Sequence, residues 1–262
     1  MPIRKHLALA ALFASALPAL ADLQPIQRHC TVLAAERKDG YRLRLELRDP
    51  GCSSDNRCGS HENDSNDLDR LAGITLADLG NDGAHLTVTL HGEAGTLTCT
   101  GDVHANRFEG EGVFIPDPAF VNRMAQIGFT GYDSEKLLAY TFIGVESDWA
   151  RTLVDAHVQG VTIDNLLALR IFHIDVPYVR GFTALGYPQP DADKLIGLKV
   201  QGVNEQEVRE IRGMGYQPSL DELIQIRIFK ITPDFIRRMQ DRGFHNLTIS
   251  KLVQIRIFNL AE

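Results

Sequence analysis

Apolar and polar residues alternate through much of the first part of the chain, between residues 26 and 115, as in a strand with one solvated face. The clearest alternation places charged residues between Tyr41, Leu43, Leu45 and Leu47. Segments 85–91 and 96–100 alternate in the same way and flank a turn that contains glycine, so they predict a β-hairpin. This part of the chain therefore predicts a small antiparallel β-domain, which we assign to residues 22–115.

From about Pro116 the pattern becomes a repeat. Five apolar segments begin at leucines that are separated by 29, 29, 28 and 29 residues: Leu137, Leu166, Leu195, Leu223 and Leu252. Repeats of this length are typical of stacked supersecondary units. Four residues before each leucine stands a side chain that can cap a helix: Asp133, Thr162, Asp191, Ser219 and Thr248. Each unit is therefore expected to contain a helix that begins at this cap.

A second start signal precedes another helix in each unit. It recurs at Asp117, Glu146, Asp175, Asn204 and Thr232. Three residues further on stand Phe120, Trp149, Tyr178, Glu207 and Phe235, which we expect to fill the gap between neighbouring units. The first helix is expected to end at a glycine in four units and at His157 in the second unit. The predicted fold class is therefore α+β, a β-domain with disulfides followed by an array of helical hairpins, a short α-solenoid.

The five helical hairpins are assigned to the segments 116–145, 146–174, 175–203, 204–231 and 232–262. Each unit is too small to bury its own apolar face, so stacking of neighbours has to supply the core. Stacking also leaves one long exposed surface. For this reason the array predicts a binding module.

The first 21 residues have the pattern of a signal peptide, because Arg4 and Lys5 precede a short apolar run and alanines stand at 19 and 21. The run is too short to span a bilayer, so we expect cleavage after Ala21 and a mature chain without a membrane span. The formal net charge is −7 and the basic residues are not clustered, which argues against a nucleic-acid partner. The predicted location is the periplasm or the exterior of the cell.

An exported protein with four cysteines favours two disulfides over a metal site. Cys30 shares a strand face with Val32, and Cys99 shares one with Leu97, so both thiols are expected in one core. We therefore pair Cys30 with Cys99 and Cys52 with Cys58. Four cysteines allow three connectivities, and the other two stay open.

The helical part resembles the repeats of a large group of secreted bacterial proteins. The resemblance is clearest between Gly215 and Ile236, where Leu-Ile-x-Ile-Arg-Ile-Phe is followed by Thr-Pro-x-Phe-Ile. It extends from about Ala94 to Glu262. Similar repeats form the extracytoplasmic tail of some BlaR-type sensor metallopeptidases, which implies the architecture and a place near an envelope sensor or regulator. The peptidase part is missing here, since His61-Glu62 is followed by Ser65 where a second zinc-binding histidine is needed.

Basic residues recur four positions after most of the repeated leucines: Arg170, Lys199, Arg227 and Arg256. One interpretation is a ladder that binds an anionic partner. The other is structural, because a cation near the end of a helix interacts with the helix dipole and covers the core with its aliphatic stem. Both interpretations stay open at the level of sequence.

Sequence patterns typical of enzymes are missing: there is no nucleophile elbow, no free Cys paired with His and no phosphate-binding glycine loop. We predict no catalytic residue, no cofactor and no metal site. The predicted function is a non-enzymatic interaction module, and its partner another envelope or extracellular protein. The alternative is a small-ligand or calcium-binding protein that uses the acidic loop 52–69 or the seam between the two parts.

Overall fold

The computed structural model describes residues 23–38, 40–50, 60–63 and 70–258, and of 60–63 the backbone alone. Its strands are β1 (Ile26–Arg37), β2 (Gly40–Arg48), β3 (Ser60–Asn63), β4 (Leu71–Ala72), β5 (His85–Gly92), β6 (Gly95–His104) and β7 (Arg107–Pro116). The expected signal peptide 1–21 and the Cys52–Cys58 pairing lie outside the described residues.

The strands form one antiparallel sheet in the order β3-β2-β1-β7-β6-β5-β4. The predicted hairpin is present, because β5 and β6 are adjacent and Gly92 pairs with Gly95 at their turn. The alternation in β2 is only partly reflected in burial. Leu45 and Leu47 are fully buried, whereas Tyr41 is 61% exposed because the start of β2 extends beyond the core.

The predicted disulfide between Cys30 and Cys99 is present, and it joins two strands that are not neighbours. Both β1 and β6 pair with β7, which runs between them. The sulfur atoms cross β7 at Gly112, where a Cβ would lie 2.4 Å from Cys30 Sγ and 3.0 Å from Cys99 Sγ. The sheet curls at this point, since the two cysteine Cα atoms are only 6.2 Å apart. Only a glycine leaves room for this crossing.

The described helices are α1 (Pro118–Gln126), α2 (Ser134–Ile143), α3 (Ser147–Asp155), α4 (Leu166–Ile171), α5 (Val176–Ala184), α6 (Ala192–Val200), α7 (Glu205–Gly213), α8 (Leu220–Ile228), α9 (Pro233–Asp241) and α10 (Ile249–Ile257). We refer to residues 23–116 as the sheet region and to residues 118–258 as the helical region. The architecture is α+β, as the sequence predicts.

The predicted capping residues explain where most of these helices begin. Asp133, Asp191, Ser219 and Thr248 each accept a backbone N–H from the first turn, and Ser219 forms a full capping box with Glu222. In α4 the prediction is less accurate. Thr162 Oγ1 accepts the Asn165 N–H at 3.3 Å, but the regular helix starts only at Leu166.

The ends of the first helices also follow the prediction. Backbone φ is positive at the expected glycines, with 95° at Gly128 and 84° at Gly186. His157, which replaces glycine in the second unit, also has a positive φ of 57°. Its left-handed conformation matches that of Gly128 and Gly186 despite the steric cost of a side chain.

The helical region packs directly on the sheet. Helix α2 contacts β5, β6 and β7, and the even-numbered helices then contact one another in chain order from α2 to α10. One continuous cluster of buried side chains extends from Cys30 in the sheet to Leu252 in α10. Buried Arg28 adds a polar link, since its guanidinium pairs with Asp49 at 3.3 Å and with Glu135 of α2. The sheet region and the helical region therefore share one core.

Candidate recognition surface

The carboxyl ends of the even-numbered helices lie along one edge of the helical region. The penultimate residue is basic in four successive helices of this set: Arg170 in α4, Lys199 in α6, Arg227 in α8 and Arg256 in α10. Because each of these helices contacts the next, the four cations form a row. Packed helices usually lie about 8–10 Å apart, so we expect a similar spacing along the row.

Three of the four cations lie over an aromatic ring from the odd-numbered helix just before. Arg170 Cζ is 5.4 Å from the centre of the Trp149 ring, and Lys199 Nζ is 4.4 Å from that of Tyr178. Arg256 Cζ lies 5.2 Å from the Phe235 ring centre. The aromatic residues that the sequence assigned to the gap between units are thus the partners of the cations, and the attraction of cation for ring fixes where each charge lies.

Arg227 is held in another way, since the equivalent position on α7 is Glu207. Its Nη1 lies 3.6 Å from Glu207 Oε2, and its Nε donates to the Gln201 carbonyl at 2.9 Å. That carbonyl lies at the end of α6, so Arg227 satisfies a group that the helix leaves without a partner. Each cation in the row is therefore positioned by contacts within the protein.

Contact with a ring leaves the N–H groups of a cation unused. Within the part of the chain that the structure describes, neither a hydrogen bond nor an ion pair engages Arg170, Lys199 or Arg256. Lys199 and Arg256 are exposed and Arg170 is half-buried. These three members of the row therefore present fixed positive charges whose donors remain available to an acceptor from outside.

An aliphatic side chain follows each cation as the last residue of its helix. Ile171, Val200, Ile228 and Ile257 are 50%, 52%, 50% and 52% exposed. We call these four aliphatic residues and the four cations together the cation–aliphatic edge. Exposed aliphatic side chains arranged in a row, rather than scattered, are typical of interaction sites.

The edge begins at α4 because the sheet region covers the end of α2. The two matching residues of α2, Thr141 and Phe142, are buried. Arg70 of the sheet region reaches this helix end and donates to the Thr141 and Phe142 carbonyls, both at 2.8 Å. The comparison shows what a covered helix end looks like in this protein, and the four later ends have no such cover among the described residues.

Two grooves open along this edge. The larger, of about 760 Å³, is lined by residues that include Gln201, Arg227, Ile228 and Lys230. The smaller, of about 320 Å³, lies at the seam between the two regions and contains Arg70, Glu93, Glu146 and Arg170. Each groove thus contains one residue of the cation row.

Glu93 links the turn of the β5–β6 hairpin to two helices. The start of α3 has no side-chain cap of its own, and Glu93 supplies one by accepting the Ser147 N–H at 2.6 Å. Its carboxylate also accepts from Arg123 Nε of α1 at 2.7 Å. Burial raises the pKa of Glu93, but the hydrogen bonds from Ser147 and the charge of Arg123 lower it more, so it lies below the usual value.

The structure also bears on the other candidate sites. The acidic loop 52–69 lies mostly outside the described residues, as does the Cys52–Cys58 pairing. In the described ranges, no three His, Cys, Asp or Glu side chains are grouped closely enough to hold a metal ion. His85 lies on the exposed face of the sheet, with Nδ1 2.7 Å from Asp102 Oδ1.

Sequence reasoning missed Arg70, Glu93 and buried Arg28, each of which joins the two regions. Their partners are more than 50 residues away in most cases, and no local pattern marks them. None of the helices between residues 70 and 258 is long and apolar enough to cross a membrane. Comparisons with protein-family models, curated proteins and solved structures find no match to this chain.

Proposed function

We propose that this protein is an exported, non-enzymatic recognition protein that binds another envelope or extracellular protein through the cation–aliphatic edge. The observation that carries the proposal is the pairing of four half-exposed aliphatic side chains with four fixed cations in adjacent helix ends. Aliphatic surface contributes to affinity when a partner buries it. Cations that are already held in place orient the partner, and little side-chain entropy is lost on binding. The cations therefore have two roles, one structural and one in binding.

We further propose that the helical region is a short solenoid of five stacked hairpins, so that the edge is a consequence of the repeat. Its support is a set of contacts that recurs between successive even-numbered helices. Lys136 pairs with Asp164, Asn165 with Asp193 and Lys194 with Asp221, at separations of 28, 28 and 27 residues. Equivalent contacts at a nearly constant separation are expected when each unit interacts mainly with its neighbours.

Export is part of the same proposal. The Cys30–Cys99 disulfide supports it, because disulfides persist in oxidising compartments. The partner is then a protein of the periplasm or the exterior, and the sequence resemblance implies a place near an envelope sensor or regulator. Mass spectrometry of the protein from the exporting cell tests this step, and a mature chain that begins at Asp22 is the expected result.

The binding role is tested with purified residues 22–262 as bait in an envelope extract. Ile171, Val200 and Ile228 are changed together to serine in one variant. The matched control changes three aliphatic residues away from the edge, Leu76, Val113 and Val154, which are 42%, 40% and 38% exposed. We expect a protein that is captured by the wild type and the control but lost from the edge variant, with circular dichroism unchanged in all three.

A second variant examines the charges. Reversal of Arg170 and Arg227 to glutamate is expected to abolish capture while the helical signal persists. Equal capture by the edge variant and the wild type would contradict the binding role. Hydrolysis of peptides, peptidoglycan or glycosides by the purified chain would contradict the non-enzymatic role.

A further inference from the structure

We infer that the segment bound by the cation–aliphatic edge is an extended acidic peptide in the polyproline II conformation, with a carboxylate at every third residue. This inference rests on the proposed binding function and specifies its ligand. It follows from the spacing of the helix ends, the chemistry of the two rows and the contacts that fix the cations.

The spacing of the edge selects the conformation. Successive even-numbered helices are in contact, and the axes of packed helices are usually about 8–10 Å apart, so we take this distance as the spacing of the helix ends. A polyproline II chain advances about 3.1 Å per residue, so three residues cover about 9.3 Å and return to the same face. A β-strand repeats on one face every two residues, or about 6.6 Å, and would lose register with the helix ends after one step.

The chemistry of the edge selects the side chains. Every helix end in the row offers one cation and one aliphatic residue at consecutive positions, as in Arg170–Ile171 and Lys199–Val200. A repeating unit of one carboxylate, one apolar residue and one residue with extended backbone provides a partner for both. Proline suits the last position, because it favours this conformation and lowers the entropy lost on binding.

The cations are prepared for carboxylates in particular. Trp149, Tyr178 and Phe235 hold Arg170, Lys199 and Arg256 by their π faces, which leaves the N–H donors at the rim of each cation for a ligand. An arginine held in this way can bind a carboxylate through two parallel hydrogen bonds. A carboxylate ligand would accept hydrogen bonds from the free N–H groups of each cation without displacing its aromatic partner.

An anionic membrane surface fits the edge less well. Interfacial segments usually combine basic residues with large apolar residues such as Trp, Phe and Leu. In the edge the four aliphatic residues are three isoleucines and one valine, and the rings of Trp149, Tyr178 and Phe235 are covered by cations, whereas Phe258, just beyond Ile257, is exposed.

The test uses three fluorescent 15-residue peptides and the intact chain 22–262. The first is (Glu-Val-Pro) repeated five times, the second has the same composition with all glutamates in one block, and the third carries glutamine in place of glutamate. In fluorescence anisotropy we expect the first peptide to bind about tenfold more tightly than the block isomer, and the neutral peptide more weakly still. Its affinity is expected to fall as salt is raised.

Substitutions in the row of cations test whether these residues bind the peptide. Lys199→Gln and Arg256→Gln are each expected to weaken binding of the first peptide by about threefold. Arg209→Gln, which removes an exposed arginine paired with Glu205 on α7, is the matched control and is expected to bind like the wild type. Melting temperatures of the variants show whether a loss of binding reflects a loss of structure.

Equal affinity for the periodic peptide and the block isomer would overturn the inference. Stronger binding to vesicles that contain phosphatidylglycerol than to any peptide, with the same dependence on Lys199, would replace the peptide with a lipid surface. If an envelope protein is captured through the edge but the peptides show no preference for period three, the inference about the ligand alone fails. If neither binds, the proposed function fails with it.

Discussion

In the sheet region, residues that contact one another are often far apart in the chain, whereas in the helical region similar contacts recur at a short and nearly constant distance. Cys30 and Cys99 are 69 residues apart, and Arg28 reaches across 107 residues to Glu135. Between the helices, Lys136 and Asp164 are 28 residues apart, and Lys194 and Asp221 are 27 apart. The first region thus depends on a few unique contacts and the second on repetition.

This difference has consequences for stability. Loss of a unique contact that closes a long loop should destabilise the whole sheet, because no equivalent contact replaces it. Loss of one contact in a row of similar contacts should weaken mainly the neighbouring helices. The two regions share one buried core, so the sheet also limits how far the first helices can open.

The largest effect is expected from Gly112→Ala. The added Cβ would lie 2.4 Å from Cys30 Sγ, so the disulfide cannot cross β7 in its present position. Loss of a disulfide that closes a loop of this length costs about 4 kcal/mol. We therefore expect the free energy of unfolding to fall by about that amount in urea titrations, and peptide mapping to find alkylated Cys30 and Cys99.

Gly80→Ala is the control for this experiment. Gly80 also belongs to the sheet region, but a Cβ there has no atom within 4 Å and its backbone φ is not in the left-handed range. This variant should keep the disulfide and nearly the stability of the wild type. A Gly112→Ala protein that keeps both would show that the crossing point can move.

The same difference explains what the sequence could predict. The helices of the helical region could be predicted because capping residues, glycines and apolar segments recur with one period. The same signals at equivalent positions make the prediction of each helix more secure. In the sheet region, alternation predicts the strands and the hairpin but not the order in which strands lie side by side. The crossing of the disulfide over Gly112 depends on that order, and so could not be predicted.

An effect of similar size is expected from Leu195→Ala, which removes a fully buried side chain from α6. A large-to-small change in a core costs about 2–5 kcal/mol. If contacts in the helical region are mainly between neighbours, hydrogen exchange should accelerate in α4, α6 and α8 and change little in β1 and β7. Leu97→Ala makes the same deletion in the sheet core and should accelerate exchange across the whole sheet.

Uniform acceleration throughout the chain in the Leu195→Ala variant would mean that the two regions unfold as one unit. The contrast between unique and repeated contacts would then describe the geometry of the protein without describing its energetics. Acceleration restricted to three helices would instead support the solenoid, because each unit would be stabilised mainly by the units next to it.

The candidate surface shows a further limit of sequence reasoning. The sequence shows both the recurring cations and the recurring aromatic residues, but it does not show that they contact one another. Each cation follows its partner by 20 or 21 residues, and Arg227 is the cation that faces Glu207 instead of a ring. The presence of a carboxylate at the position where the other units have an aromatic residue could have indicated this pairing, since either group attracts a cation.

The smallest effect is expected at the seam, where one carboxylate joins the unique contacts of the sheet to the start of the repeated helices. Glu93→Gln removes the charge that caps α3 and pairs with Arg123, which should lower the free energy of unfolding by about 1 kcal/mol at pH 7. Glu36→Gln, at an exposed position in β1, is the control and should have little effect.

The contribution of Glu93 to the free energy of unfolding is expected to depend on pH. The pKa of Glu93 in the folded protein lies below 4.5, the usual value for glutamate, because hydrogen bonds from Ser147 and the charge of Arg123 outweigh the effect of burial. The unfolded chain therefore binds this proton first as the pH falls, and the stabilisation is complete above pH 4.5 and is lost as the pH falls through the lower, folded pKa. The difference in stability between the wild type and Glu93→Gln should shrink over that range. A difference that stays constant down to pH 3 would mean that Glu93 acts through its shape and not through its charge.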